Sequence, residues 1–149
     1  MSNIPKDLRD NKPTESREKF ETLKLCTQLV HHAEDCLSSK KVQESPKVFT
    51  MLYILLESIE IYSCVYRANR IPFSKGKITE ENWKARESLQ LEAMRLCSDL
   101  EGLILLAKSD YKWRIRKVRY YTSLILKTRE YISKWYSVNK ADYDMMLVG

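Results

Sequence analysis

The chain is poor in what breaks helices. Its 149 residues hold three glycines and four prolines, and two of the prolines, Pro5 and Pro13, fall in the first fourteen residues. So few breakers exclude a fold built on tight turns and favour long helices. Long apolar runs are missing too. The longest is "MLYILL", 51–56, against the roughly 18–20 residues that a membrane span needs. The start, "MSNIPKDLRDNKPTESREK", has no apolar stretch of the secretory kind. The expectation is a cytoplasmic protein with no membrane contact. The four cysteines, Cys26, Cys36, Cys64 and Cys97, form no C-x-x-C pair, and each falls inside a helical pattern. Buried reduced thiols are expected, because a disulfide framework does not suit a chain without an export signal.

Chemistry is scarce as well. There is no G-x-x-x-x-G-K-[ST], no G-x-G-x-x-G, no G-x-S-x-G and no H-E-x-x-H. The only histidines are His31 and His32. Asp35 and Cys36 sit at helical spacing from them, but a metal site would need ligands from another helix, and no other histidine exists. An Arg shortly before a His, as some helical-bundle nucleases have, is absent: Arg17 lies fourteen residues before His31. Glu57 with Glu60, and Glu34 with Asp35, lack the Glu-x-x-His partner of a di-iron bundle. No enzyme, no metal and no cofactor is therefore expected.

What the chain does have is helical periodicity, in four segments. The first spans about 15–37, with Leu23, Cys26, Val30, Ala33 and Leu37 spaced 3, 4, 3, 4. The second spans about 46–69, with Ser45 as N-cap and Pro46 as first helical residue. Its stripe is Val48, Leu52, Leu55, Ile59, Tyr62 and Tyr66. The third starts after Thr79, with Glu80 and Glu81 at the positive end of its dipole. Its stripe is Leu89, Ala93, Leu96, Leu100, Leu103 and Ala107. The fourth carries Val118, Tyr121, Ile125, Thr128, Ile132 and Trp135. Nothing between 79 and 138 is Gly or Pro except Gly102. A single helix there would be roughly 90 Å long, too long for a compact domain, so a turn is placed at Ser109–Asp110 with Asp110 as the next cap. The pattern predicts an all-α, antiparallel four-helix bundle over 15–139. Flexible segments are expected at 1–14 and 140–149.

The second segment is apolar over too wide an arc. Beyond its stripe it presents Ile54, Ile61 and Val65 on one flank and Phe49 and Leu56 on the other. The third adds Leu91, Met94 and Leu105 opposite its own stripe. A monomeric bundle helix needs one apolar face, so Ile54, Ile61, Val65, Leu91, Met94 and Leu105 are expected to form a homo-oligomer interface. The plainer alternative is that the second helix is the most buried of the four.

Charge is the other abundance. The net charge is +6. Residues 111–140 hold nine Lys/Arg and one acid, Glu130, for +8, while residues 1–110 hold seventeen of each sign. Lys112, Arg116, Arg119, Lys127 and Lys134 cluster opposite the fourth stripe, over about 33 Å. Tyr120, Tyr131 and Tyr136 flank them. Such asymmetry fits a polyanion, RNA or DNA, with Tyr120 and Tyr131 placed to stack on bases. A solvated face and an acidic protein partner are the alternatives.

"MSNIPKDLRDNKPTESREKFE", "YRANRIP", "RESLQLEAMRLCSDLEGLILLAK" and "RKVRYYTSLILKTREYISKWYSVNK" together resemble a family of four-helix-bundle proteins. That family includes the ribosomal-RNA intervening-sequence proteins and the accessory variability determinants of diversity-generating retroelements. The likeness covers about 15–140. The Gly-rich ending of the fourth helix in many members is replaced here by "YISKWYSVNK". The resemblance implies a non-enzymatic, homopentameric barrel with a basic surface. It implies binding to a reverse transcriptase and its template RNA in support of mutagenic reverse transcription. Lys112, Arg116, Arg119, Lys127 and Lys134 would be the counterpart of that surface. A structural module that binds protein alone is the competing expectation.

Overall fold

A computed structural model describes residues 15–74 and 76–149, with side chains from residue 17 onward. The segment 1–14, expected to be flexible, lies outside the described residues. Among these residues five helices follow in order: α1 (Glu15–Leu37), α2 (Lys40–Gln43), α3 (Phe49–Arg70), α4 (Glu80–Tyr111) and α5 (Ile115–Val148). They account for 86% of the described residues, among which there is no strand. The four long helices pack as a ring, α1 against α3 and α5, and α4 against the same two. The fold is all-helical and bundle-like.

Local chemistry sets most of the boundaries. Thr79 is the N-cap of α4, as expected: its Oγ1 accepts the Asn82 N–H at 3.1 Å, and Glu80 and Glu81 occupy the first turn. The Asn82 side chain donates to Pro72 O and Lys77 O, which ties the 71–79 loop to α4. Gly76 takes φ +84° in that loop, a conformation open to glycine.

Three boundaries differ from expectation. Ser45 is not a helix cap and Pro46 is not helical. Ser45 Oγ accepts the Lys47 N–H in a local turn, and α3 begins only at Phe49. In the gap stands α2, too short to show a period, capped by Ser39 and anchored by buried Val42. The last helix runs past 139 to Val148. Asn139 is buried and accepts from Gln90 Nε2 at 2.8 Å, and Tyr143 stacks on Trp83 at 5.5 Å. The supposed tail thus has partners on α4.

The core confirms the α4 and α5 stripes, follows the α1 stripe except at Val30, which is half-buried and outside it, and inverts the α3 stripe. Val118, Tyr121, Ile125, Thr128, Ile132 and Trp135 are all buried. Ala93, Leu96, Leu100 and Ala107 are buried too, with Leu89 and Leu103 packed at the edge. On α1, Cys26 and Ala33 are core, with Leu23 and Leu37 at its margin, and Leu25, Leu29 and Cys36 join from beside them. All four cysteines are buried and unpaired. On α3 the buried and exposed faces are the reverse of those expected. Ile54, Ile61 and Val65, expected at a subunit interface, are fully buried with Met51, Ser58, Cys64 and Ala68. Leu52, Ile59, Tyr62 and Tyr66, expected in the core, are exposed. Val48 and Leu55 of that stripe lie at the core margin. Two apolar stripes of equal spacing run along α3, so period alone cannot choose between them. Size and polarity do. Ser58, Cys64 and Ala68 let neighbouring helices approach closely, whereas a tyrosine hydroxyl needs water or a partner. Of the α4 interface candidates, Leu91 and Leu105 are exposed and Met94 packs against the core.

One buried charge yields a stability prediction. Glu18 is fully buried, both carboxylate oxygens lack a hydrogen bond, and Arg17 approaches at 3.7 Å. Burial pushes its carboxyl up, against the pull of Arg17 and Lys134. A raised folded-state pKa means that protonation favours the fold. The stabilisation is complete below the unfolded value and is lost as pH rises through the folded one. Glu18→Gln is therefore expected to gain about 1–2 kcal/mol at pH 7, with the gain vanishing near pH 4. Urea unfolding at the two pH values checks it; equal gains at both would contradict it.

Candidate nucleic-acid interface

The basic segment "DYKWRIRKVRYYT" folds by sending three of its four aromatics inward. Tyr111, Trp113 and Tyr121 are buried. Tyr111 OH donates to Lys47 O at 2.8 Å and accepts the Met51 N–H at 2.9 Å. Trp113 packs between Tyr111 and Tyr121, with ring centroids 5.5 and 6.1 Å away. Burying Trp113 requires a sharp reversal at the end of α4. Lys112 provides it with φ 53° and ψ 45°, and its N–H closes on Lys108 O. The turn thus lies at 112–114 and not at Ser109–Asp110. Asp110 caps nothing; it takes a hydrogen bond from Thr50 and an ion pair from Lys47 at 3.5 Å. The reversal had no Gly or Pro to announce it, because the Trp113 contact drives it.

With those three aromatics inside, the cations face out. Arg116, Arg119 and Lys127 are exposed on α5, and Lys112 and Arg114 are exposed in the turn. Lys112 is therefore not on the helical stripe but at its head. Lys117 is half-buried, its Nζ 4.9 Å from the Trp113 ring. Lys134, at the far end, pairs with Glu130 at 3.2 Å and lies 4.7 Å from the Tyr131 ring. Its charge is already answered, and Tyr131 is half-buried beneath it. Tyr120 is 59% exposed, with His32 edge-on at 5.1 Å. Tyr136 donates to Glu87 at 2.8 Å, which holds it to α4.

The structure also brings in lysines that the pattern had not joined to the site. Lys41 Nζ donates to Lys112 O at 3.4 Å, so α2 lies against the α4–α5 turn. Lys40, Lys41 and Lys47 thereby share one end of the molecule with Lys112 and Arg114. The doublet Lys40–Lys41 after Ser39 was visible in the sequence, but only the fold places it here.

Two groups in this region stay electrically quiet. Burial lowers the His32 pKa, helped by Lys117 and opposed by Asp35. Cys36 Sγ lies 3.7 Å from His32 Nε2, and burial pushes its thiol up. Among the described residues no three His, Cys, Asp or Glu side chains gather as a metal site would require.

Lys112 offers a direct test of the turn. A left-handed conformation costs a non-glycine residue about 1–2 kcal/mol, and glycine returns about 0.5–1 kcal/mol of that as unfolded-state entropy. Lys112→Gly is expected to raise stability by about 0.5–1 kcal/mol. Thermal unfolding checks this, and a loss of stability would mean that the turn is built differently.

Compared with protein-family models, with curated proteins and with solved structures, the chain matches none.

Proposed function

We propose that this protein is a non-enzymatic nucleic-acid-binding subunit, assembled as a homo-oligomer, that serves a reverse transcriptase and its template RNA. One observation carries the nucleic-acid part. Lys112, Arg114, Arg116, Arg119 and Lys127 make no ion pair with any described residue. Unpaired cations such as Lys24, Arg67 and Lys108 occur elsewhere too, but there acids match bases in number, whereas 111–140 holds nine Lys/Arg and the single acid Glu130. A face kept merely soluble mixes its signs. A run of unanswered cations suits phosphates, which position a protein on nucleic acid without reading its sequence. The reverse transcriptase rests on the family resemblance alone. An antiparallel bundle is supported by the pairings Thr50–Asp110 and Ala68–Arg86 across α3 and α4.

The test is fluorescence anisotropy with a labelled single-stranded RNA and a DNA of equal length. Saturable binding to either is expected at low salt. A flat titration would leave the competing reading, a helical module that binds protein alone.

A further inference from the structure

Among the described residues nothing covers the outer face of α3. Phe49, Leu52, Leu56, Ile59, Ser63 and Tyr66 follow one another at spacings 3, 4, 3, 4, 3. All but Ser63 are exposed, and Tyr53 and Tyr62 widen the strip. The seven apolar and aromatic members run from 37% exposed at Tyr62 to 67% at Phe49. At about 200 Å² per side chain, they leave roughly 700 Å² open to solvent. The largest apolar patch on a typical monomer is about 300–600 Å², and a standard interface takes about 800 Å² from each partner. Along this strip the charged neighbours are few. Glu57 is turned toward α4, where burial raises its carboxyl and Asp99 adds to the effect. Glu60 and Arg67 stand exposed on one flank, seven residues apart.

We infer that this face is a seam between two copies of the chain, laid antiparallel about a two-fold axis. The inference rests on the homo-oligomer in the reading above and not on its nucleic-acid part. A 3-4 spacing over most of a 22-residue helix is the pattern that packs knobs into holes against a like helix. Register follows from charge. In the antiparallel pair that sets Leu56 against Tyr66 of the other copy, Ile59 meets Ser63, and Glu60 falls opposite Arg67 twice. One heptad away, Glu60 would face its own copy. The seam is self-complementary only in the first register, as a two-fold interface must be. Ser63 gives the room that Ile59 fills. This is a two-fold pair, not the five-fold ring that the family resemblance implies.

Three variants, all at exposed positions, test it by gel filtration with light scattering and by sedimentation equilibrium. The wild type is expected at twice 17.7 kDa or an even multiple. Leu56→Glu is expected at one chain mass, with unchanged helix content. Glu60→Arg, which sets Arg against Arg, is expected to weaken self-association about tenfold or more. Adding Arg67→Glu to it is expected to restore the wild-type value to within about threefold. A monomeric wild type at tens of micromolar overturns the inference, and so does a five-chain mass. An association indifferent to Leu56→Glu also overturns it. A double variant no better than Glu60→Arg overturns the antiparallel register. Flotation of the wild type with anionic lipid vesicles, lost in Leu56→Glu, would assign the face to a membrane instead. RNA binding by the Leu56→Glu monomer is expected to persist at reduced avidity, so failure of the seam and failure of the nucleic-acid reading are separable.

Discussion

Ile61→Ala is expected to cost about 2–5 kcal/mol, and Ile59→Ala less than about 0.5 kcal/mol. The two residues are of one type, two positions apart on one helix. Ile61 is fully buried, while Ile59 is 44% exposed. Removing three carbons from Ile61 leaves a cavity among close-packed neighbours that relax only in part. At Ile59, water already reaches the side chain. Urea unfolding of the two variants, made in the Leu56→Glu monomer so that no second copy covers Ile59, measures the difference. Leu100→Ala, on α4, should fall in the same range as Ile61→Ala, since Leu100 is fully buried. A costly Ile59 and a harmless Ile61 would restore the opposite face of α3 to the core.

The double variant Arg116→Glu, Arg119→Glu is expected to lose about ten- to a hundredfold in affinity for nucleic acid at low salt. Two charge-assisted contacts, worth about 1.5–3 kcal/mol each when fully made, would be replaced by repulsion. The exposed setting trims that total. Both side chains are exposed and unpaired among the described residues, so the fold should tolerate the change. Lys134→Glu is expected to do much less, because Lys134 is held by Glu130 and Tyr131. Equal losses at the two places would show a diffuse electrostatic effect and no located surface.

Much of this was legible in the sequence, and the exceptions have physical causes. The α5 stripe could be read because only one of its faces is apolar. The same reading misplaced α3, whose two apolar faces are equally regular. There the tyrosine hydroxyls of Tyr62 and Tyr66, and the small Ser58 and Ala68, were the available signal. The basic face was legible as composition, but not as a surface. Lys112 left the stripe because burial of Trp113 turns the chain there, and no local residue type marks such a turn. Lys134 left it because Glu130, one helical turn away, answers its charge; that i, i+4 pair was open to inspection. Lys40, Lys41 and Lys47 join only through contacts across the fold, which no period in the chain encodes.

The central claim is that phosphates are bound by unanswered cations around the α4–α5 turn and along α5. The most direct measurement is the salt dependence of single-stranded RNA binding by the wild-type protein. Each phosphate contact should contribute a slope of about −0.7 to log affinity against log salt. Lys112, Arg114, Arg116, Arg119 and Lys127 supply about three to five such contacts, so the expected slope is about −2 to −3.5 per chain engaged. Binding that holds its strength from low to physiological salt, or no binding at low salt, would contradict the account.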